Sequence, residues 1–208
     1  MTEQKFADQH DQANWSLLVN NEVLSLGDTV VDIGSCHGTY LSMFCSILGA
    51  TGKIYSFEIF PPNFNHIEMR FGHWPNIEFF NKAVSDRDGF ESIHAHEQTE
   101  MCGILEKNGA KIGQIESVTL DTCLKDEKEI SLIKIDVEGA ELNVLRGATD
   151  TLKKTNSILI ECHYDEDWPE IRNILLEENG FECYNVERRE IVDETSPRPY
   201  QCFCRRKK

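Results

Sequence analysis

A doubly wound α/β fold is predicted for this chain of 208 residues. Three observations predict it. Short β-branched runs alternate with segments that carry a helical apolar stripe. The first of these runs stops at a glycine loop that opens a helix. A content of 40% hydrophobic and 27% charged residues is the balance of an ordinary globular domain. Strands alternating with helices imply a largely parallel sheet covered on both faces.

The elements follow in order within one domain expected over residues 1–208. Trp15, Leu17, Leu18, Val23 and Leu24 among polar residues predict a leading amphipathic helix at about 10–26. Thr29–Gly34 is a buried strand stopped by glycine, and residues 39–48 are a helix stopped by Gly49. Lys53–Ile59 is the second strand. Pro61 and Pro62 suit the first turn of a second helix. Asn76–Ser85 is the third strand. From about 89 to 123 the pattern loosens into a β-rich insertion, with strands expected in GFESIHAH and QIESVTLDTCL. Ile130–Asp136 is the fourth strand of the main series, Ala140–Lys153 a helix, and Ser157–Cys162 the fifth strand. Pro169–Glu178 is a helix ended by Asn179-Gly180. Strands around Phe181–Val186 and Tyr200–Cys204 close the chain. Only residues 187–199 link these last two, so they are expected to pair antiparallel. The expected architecture is a Rossmann-like sheet of order 3-2-1-4-5-7-6 with one antiparallel edge strand.

Charge narrows the partners. Lys and Arg number 21 against 36 Asp and Glu, for a formal net charge of −15. That argues against binding nucleic acid, which needs many cations for its phosphates, and against docking on an anionic membrane. No apolar run reaches the length of a span. The polar, acidic first residues do not read as a signal peptide. Eight cysteines without such a signal read as reduced thiols in a cytoplasmic protein. No C-x-x-C occurs, and no metal site is expected. Oligomeric state is not legible in the sequence.

Val31-Asp32-Ile33-Gly34-Ser35-Cys36-His37-Gly38-Thr39-Tyr40 carries the chemistry. Its G-x-x-x-G differs from the G-x-G-x-x-G that seats a dinucleotide pyrophosphate on a helix N-terminus. No G-K-[ST] follows, so it is not a P-loop. Asp32 places an anion near the loop, which suits a cationic ligand. Twenty residues after Gly38, Glu58 ends the second strand, where a carboxylate accepts both hydroxyls of a ribose. A nucleoside without phosphate and with positive charge fits, and S-adenosyl-L-methionine is such a molecule.

Asp32-Ile33-Gly34 with Gly38 and Tyr40, Phe57-Glu58, Ala83-Val84-Ser85-Asp86 with Gly89, Thr119-Leu120-Asp121, Lys134-Ile135-Asp136-Val137-Glu138-Gly139-Ala140-Glu141 and Leu145-Arg146-Gly147-Ala148 resemble the FkbM-type S-adenosylmethionine-dependent methyltransferases. The resemblance spans about residues 29–163. It implies a class I methyltransferase fold and methyl transfer to a hydroxyl of a small molecule or sugar. Asp32, Gly34, Ser35, Gly38, Tyr40, Glu58, Ser85 and Asp86 are the expected cofactor-binding residues, with Ser85 and Asp86 facing the adenine. In the expected strand order the first and fourth strands are adjacent at the switch point, so Gly34 and Asp136 should flank one crevice. Asp136, Glu138 and His163 are the expected catalytic residues. Glu161 and His163 point to the same side of the fifth strand, and His163 is the expected general base. The alternatives are a metal-assisted enzyme using Asp136 and Glu161, a cofactor-binding module without turnover, and a protein or nucleic-acid methyltransferase.

Overall fold

β-Branched and aromatic residues fill the strands of the computed structural model, which describes Leu18 and residues 23–95, 102–105 and 109–207. In chain order the elements are β1 (Thr29–Ile33), α1 (Thr39–Leu48), β2 (Lys53–Phe57), α2 (Pro61–Phe71), β3 (Ile77–Phe80), β4 (Ala83–Val84), β5 (Gly89–Ala95), β6 (Cys102–Gly103) and β7 (Ala110–Val118). They continue with α3 (Leu120–Cys123), β8 (Ile130–Ile135), α4 (Glu141–Arg146), α5 (Thr149–Lys153), β9 (Thr155–Glu161), α6 (Trp168–Asn173), β10 (Phe181–Asn185), β11 (Glu190–Val192) and β12 (Gln201–Arg206). The expected leading helix falls mostly outside the described residues; Leu18, Val23 and Leu24 are buried.

The main sheet has the order β11-β10-β12-β9-β8-β1-β2-β3. Without the edge strand β11, its strands numbered by appearance run 3-2-1-4-5-7-6. Pairings from β3 through β9 are parallel. The expected single antiparallel edge strand needs correction. β12 is antiparallel to both β9 and β10 and lies between them, and the edge is β11, antiparallel to β10. The linker after β10 is too short for a helical crossover, so the chain doubles back within the sheet.

Alternation within each strand separates two cores. Val31, Ile33, Ile133, Ile135, Ile158 and Ile160 pack towards Leu145, Trp168 and Leu175. Val30, Leu132 and Leu159 face the other way, towards Leu41, Phe44 and Ile67. The charged residues Asp32 and Lys134 lie between members of this second set, in register with each other across β1 and β8.

Three expected elements are broken by specific contacts. The expected strand 76–85 divides at Asn81, whose Nδ2 donates to the carbonyls of Glu58 and Ile59 at 2.7 and 3.3 Å. β3 stays in the main sheet, while β4 joins β7, β5 and β6 in a second sheet. In QIESVTLDTCL the strand stops at Val118, because the Thr119 hydroxyl accepts the N–H of Thr122 and caps α3. The expected helix 140–153 is interrupted at Gly147. A Cβ there would sit 2.0 Å from the Ser85 carbonyl oxygen. The Asp121 carboxylate then caps α5 by accepting from the amides of Asp150 and Thr151. After α6 the chain widens into a π-helical turn at Ile174–Glu178, whose Ile174 carbonyl accepts from Asn179 Nδ2 at 2.9 Å. None of the described helices is long and apolar enough to cross a membrane.

Candidate active site

Parallel strands end together, and the carboxyl ends of β1, β2 and β8 open onto one cleft. Gly34, Glu58, Asn63, Val84, Asp136 and Glu138 are among its walls, and it holds about 680 Å³ including its open mouth. The second sheet contributes Cys102 and Ile104 to the walls. The loosened pattern of that segment carried no signal for this role.

Gly34 is required by its surroundings. Its φ is +83°, and a Cβ would lie 1.8 Å from the Asp136 carbonyl oxygen. The β1 and β8 ends therefore approach more closely than any side chain permits. The Gly34 and Ser35 amides both donate to the Phe57 carbonyl, at 2.9 and 3.1 Å, and this ties the loop to the end of β2. Gly38, also at positive φ, begins α1 and faces Phe71.

Glu58 lies in the cleft wall and is 5% exposed. One carboxylate oxygen accepts the Cys36 N–H and the other the Phe60 N–H, both at 2.7 Å. Burial raises its pKa, while these two bonds pull it down. A carboxylate has about four acceptor sites, so two remain for hydroxyl donors in the cleft.

Several expected cofactor residues lie elsewhere. Asp32 is fully buried and does not line the cleft. Neither of its oxygens has a hydrogen-bond partner, and Lys134 Nζ stands 3.7 Å away. Its side chain follows the β1 alternation onto the α1 face, beneath the loop. Ser35 is turned inward, with Oγ 2.8 Å from Ser56 Oγ. Tyr40 packs in the α1 core with Lys134 Nζ 5.1 Å from its ring centroid. Ser85 and Asp86 do not face the cleft, because β4 has turned into the second sheet. Lys82, Ala83 and Val84 line it instead.

Lys134, which is not among the expected site residues, organises the loop. Its Nζ donates to the Gly34 carbonyl at 2.7 Å and lies 3.3 Å from Asp136 Oδ2. Burial opposes its charge, but Asp136 and Asp32 outweigh burial and hold its pKa above the ordinary lysine value. The available signal was a lysine inside the apolar run ISLIKI, since buried lysines are almost always paired.

Asp136 is part of the cleft wall, and Glu161 and His163 converge on it, with one polar atom from each of the three lying within 4.8 Å of the others. His163 Nδ1 is 2.9 Å from Oε1 of the buried Glu141, and Nε2 is 3.5 Å from Glu138 Oε2. Glu141 Oε1 also accepts the Gly139 N–H at 2.9 Å. Glu138 itself sits at φ +54°, a conformation unusual for a non-glycine residue. Burial lowers the His163 pKa, but the bond to Glu141 and the charges of Glu141, Asp136 and Glu138 raise it to about 9. The expected base is thus a cation at neutral pH. Burial and Asp136 raise the Glu161 pKa to about 7.

Residues 32–183 match the family model of the methyltransferase FkbM domain. The chain is 27% identical over 157 residues to the hexuronic acid methyltransferase AglP of Haloferax volcanii, covering 72% of this chain and 62% of AglP. It is 24% identical over 180 residues to the 2-O-methyltransferase NoeI of Sinorhizobium fredii, covering 76% of this chain and 74% of NoeI. In fold it is similar to the crystal structure of methyltransferase FkbM from Methylobacillus flagellatus. The TM-score is 0.60 at 16% identity, over 91% of this chain and 47% of that one.

Proposed function

The chain belongs to the FkbM methyltransferase family, and from that premise we propose that it methylates a hydroxyl of a sugar-like small molecule with S-adenosylmethionine. The carrying observation is the convergence of Glu161 and His163 on Asp136, which shares a cleft wall with Gly34 and Glu58. The cleft residues fit the cofactor. The Gly34 turn leaves backbone where a side chain would intrude. Glu58 has acceptor capacity for the ribose hydroxyls, and Phe57, Val84 and Ile104 give apolar wall for the base. S-adenosylmethionine, when bound, supplies a methyl group on a positively charged sulfur.

The protein's own residues do the rest. Asp136 and Glu138 line the cleft and place negative charge beside a cationic ligand. Glu161 takes the acceptor hydroxyl proton, assisted by Asp136. A group that titrates near the working pH suits that task, which contributes about 10²–10⁴-fold. His163, fixed by Glu141, orients the acceptor as a donor and becomes a base only above its own pKa. Holding the acceptor oxygen in line with the methyl contributes through effective molarities of about 10⁵–10⁸ M. The acceptor class follows AglP, a hexuronic acid methyltransferase, and NoeI, a 2-O-methyltransferase. A cytoplasmic setting, a small hydroxylated acceptor and the absence of nucleic-acid or membrane partners belong to the same proposal, supported by the net charge of −15 and the cysteine content.

A metal-assisted reading has one observation in its favour, since Asp136, Glu161 and His163 are grouped closely enough to hold an ion. Lys134 Nζ, 3.3 Å from Asp136, and protonated His163 already supply positive charge there. We therefore expect turnover to survive EDTA. Loss of turnover in EDTA, restored by Mg²⁺ but not by Na⁺, selects the metal-assisted mechanism. The activity itself is tested by screening hydroxylated sugars for formation of S-adenosylhomocysteine. No product across a broad panel, with the cofactor bound, selects the binding-module reading. Glu58→Gln is expected to weaken cofactor binding by about 1.5–3 kcal/mol, or roughly 10–150-fold. Equal affinities for wild type and variant by calorimetry remove Glu58 from the site.

A further inference from the structure

Four of the eight cysteines, Cys162, Cys183, Cys202 and Cys204, lie in one core cluster. None is more than 1% exposed. They come from β10, β12 and the residue after β9. Cys183 is directly opposite Cys204 across the antiparallel β10–β12 pair. Cys202 and Cys204 are two residues apart on β12.

Side chains at that spacing leave a strand about 6.5 Å apart. Cys202 Sγ and Cys204 Sγ are nevertheless 3.6 Å apart, so the two side chains lean towards each other. Sulfur atoms of Cys183, Cys202 and Cys204 all lie within 4.8 Å of one another. Filling an apolar core with cysteine does not by itself require this convergence. An ion with bonds of about 2.3 Å to sulfur holds its ligands roughly 3.8–4.0 Å apart, close to the spacing found here.

We propose that Cys183, Cys202 and Cys204 form a site for one soft, thiophilic metal ion of the zinc class. Thiolates select such ions. Binding replaces three S–H bonds by three metal–sulfur bonds, and the protons leave to solvent; no electrons are transferred. Cys162, whose N–H donates to the Tyr200 carbonyl at 2.8 Å, lies diagonal to Cys202 and is the candidate for a fourth ligand. The site fastens β10 to β12 where the chain doubles back inside the sheet. None of these cysteines lines the cleft, so the site is structural and independent of methyl transfer.

The test is metal analysis of the full chain expressed in zinc-supplemented medium and dialysed. About one zinc per chain is expected, and stripping it with a strong chelator should lower the melting temperature. Cd²⁺ added to the stripped protein should give sulfur-to-cadmium charge-transfer absorption that saturates at about one equivalent. Cys204→Val removes a ligand while keeping apolar volume. It should fold, hold no zinc and melt at a temperature indifferent to the chelator. If it does not fold, Cys183→Ser is read in the same way. The paired change Cys36→Ser/Cys102→Ser, at the thiols that do line the cleft, should keep the zinc. The proposal is overturned by a wild type that holds no zinc and shows no saturating cadmium band. Full zinc in Cys204→Val, or its loss in the cleft variant, also overturns it.

Discussion

Glu161→Gln is expected to lower kcat by about 10²–10⁴-fold and to abolish the rise of rate through neutral pH. The ionised carboxylate is the form that accepts a proton. Its pKa is raised from the ordinary glutamate value to about 7, by burial and then by Asp136. The wild-type rate should therefore rise with pH, with its midpoint near 7, before levelling off. If His163 were the base, its neutral form would be needed, and the rise would be centred near 9 instead. The two assignments are thus separated by the position of one inflection. His163→Gln tests the second directly. It should raise KM more than it lowers kcat, because a positioning donor is lost and the base remains. A profile that keeps its inflection near 7 in Glu161→Gln removes Glu161 from the chemistry. A loss of turnover in Asp136→Asn alone moves the base to Asp136.

The raised His163 pKa also has a consequence for stability. Its pairing with Glu141 and Glu138 contributes stability that is fully present below the unfolded value of about 6.5. That contribution is lost as pH rises through about 9. The protein should be less resistant to urea at pH 10 than at pH 6, and His163→Gln should shrink that difference.

Lys134→Met is expected to destabilise the fold by about 3–5 kcal/mol, the range for breaking a buried ion pair from one side. The methionine fits the space, but it leaves Asp32 fully buried with no cation and no hydrogen bond. It also removes the donor to the Gly34 carbonyl. For a chain of this length each kcal/mol moves the melting temperature by about 2–4 °C, so the loss should be plain in a thermal scan. Adding Asp32→Asn should recover part of it, because the stranded charge is gone. If Lys134→Met melts with the wild type, the Lys134–Asp32 pair does not support the loop.

The strand–glycine–helix unit, the acid at the end of β2 and the Lys134–Glu141 stretch were legible in the amino-acid order. Each is a local pattern: β-branched residues before Gly34, apolar spacing along α1, a lone carboxylate closing Lys53–Phe57. The alternation of such strands with helices then implies parallel pairing with both faces covered, and the doubly wound order places Gly34 beside Asp136. Position along a strand does not say which face a side chain takes when both faces are covered. Asp32 and Lys134 fall on the α1 side by register, and this made one a buried counter-ion and the other the support of the loop. Breaks in elements were equally hidden. The helix breaks at Gly147, where Ser85, more than sixty positions earlier, packs so closely that its carbonyl oxygen lies 2.0 Å from where a Cβ would be. That break belongs to the same turn of β4 that carries Ser85 and Asp86 away from the cleft. The protonation of the site was also a tertiary outcome. His163 and Glu161 have ordinary side chains, and their pKa values are moved by burial and by neighbours 20 or more positions away, Glu141 and Asp136. Local propensity is encoded in adjacent residues, whereas the field at a side chain is the sum over whatever the fold packs around it.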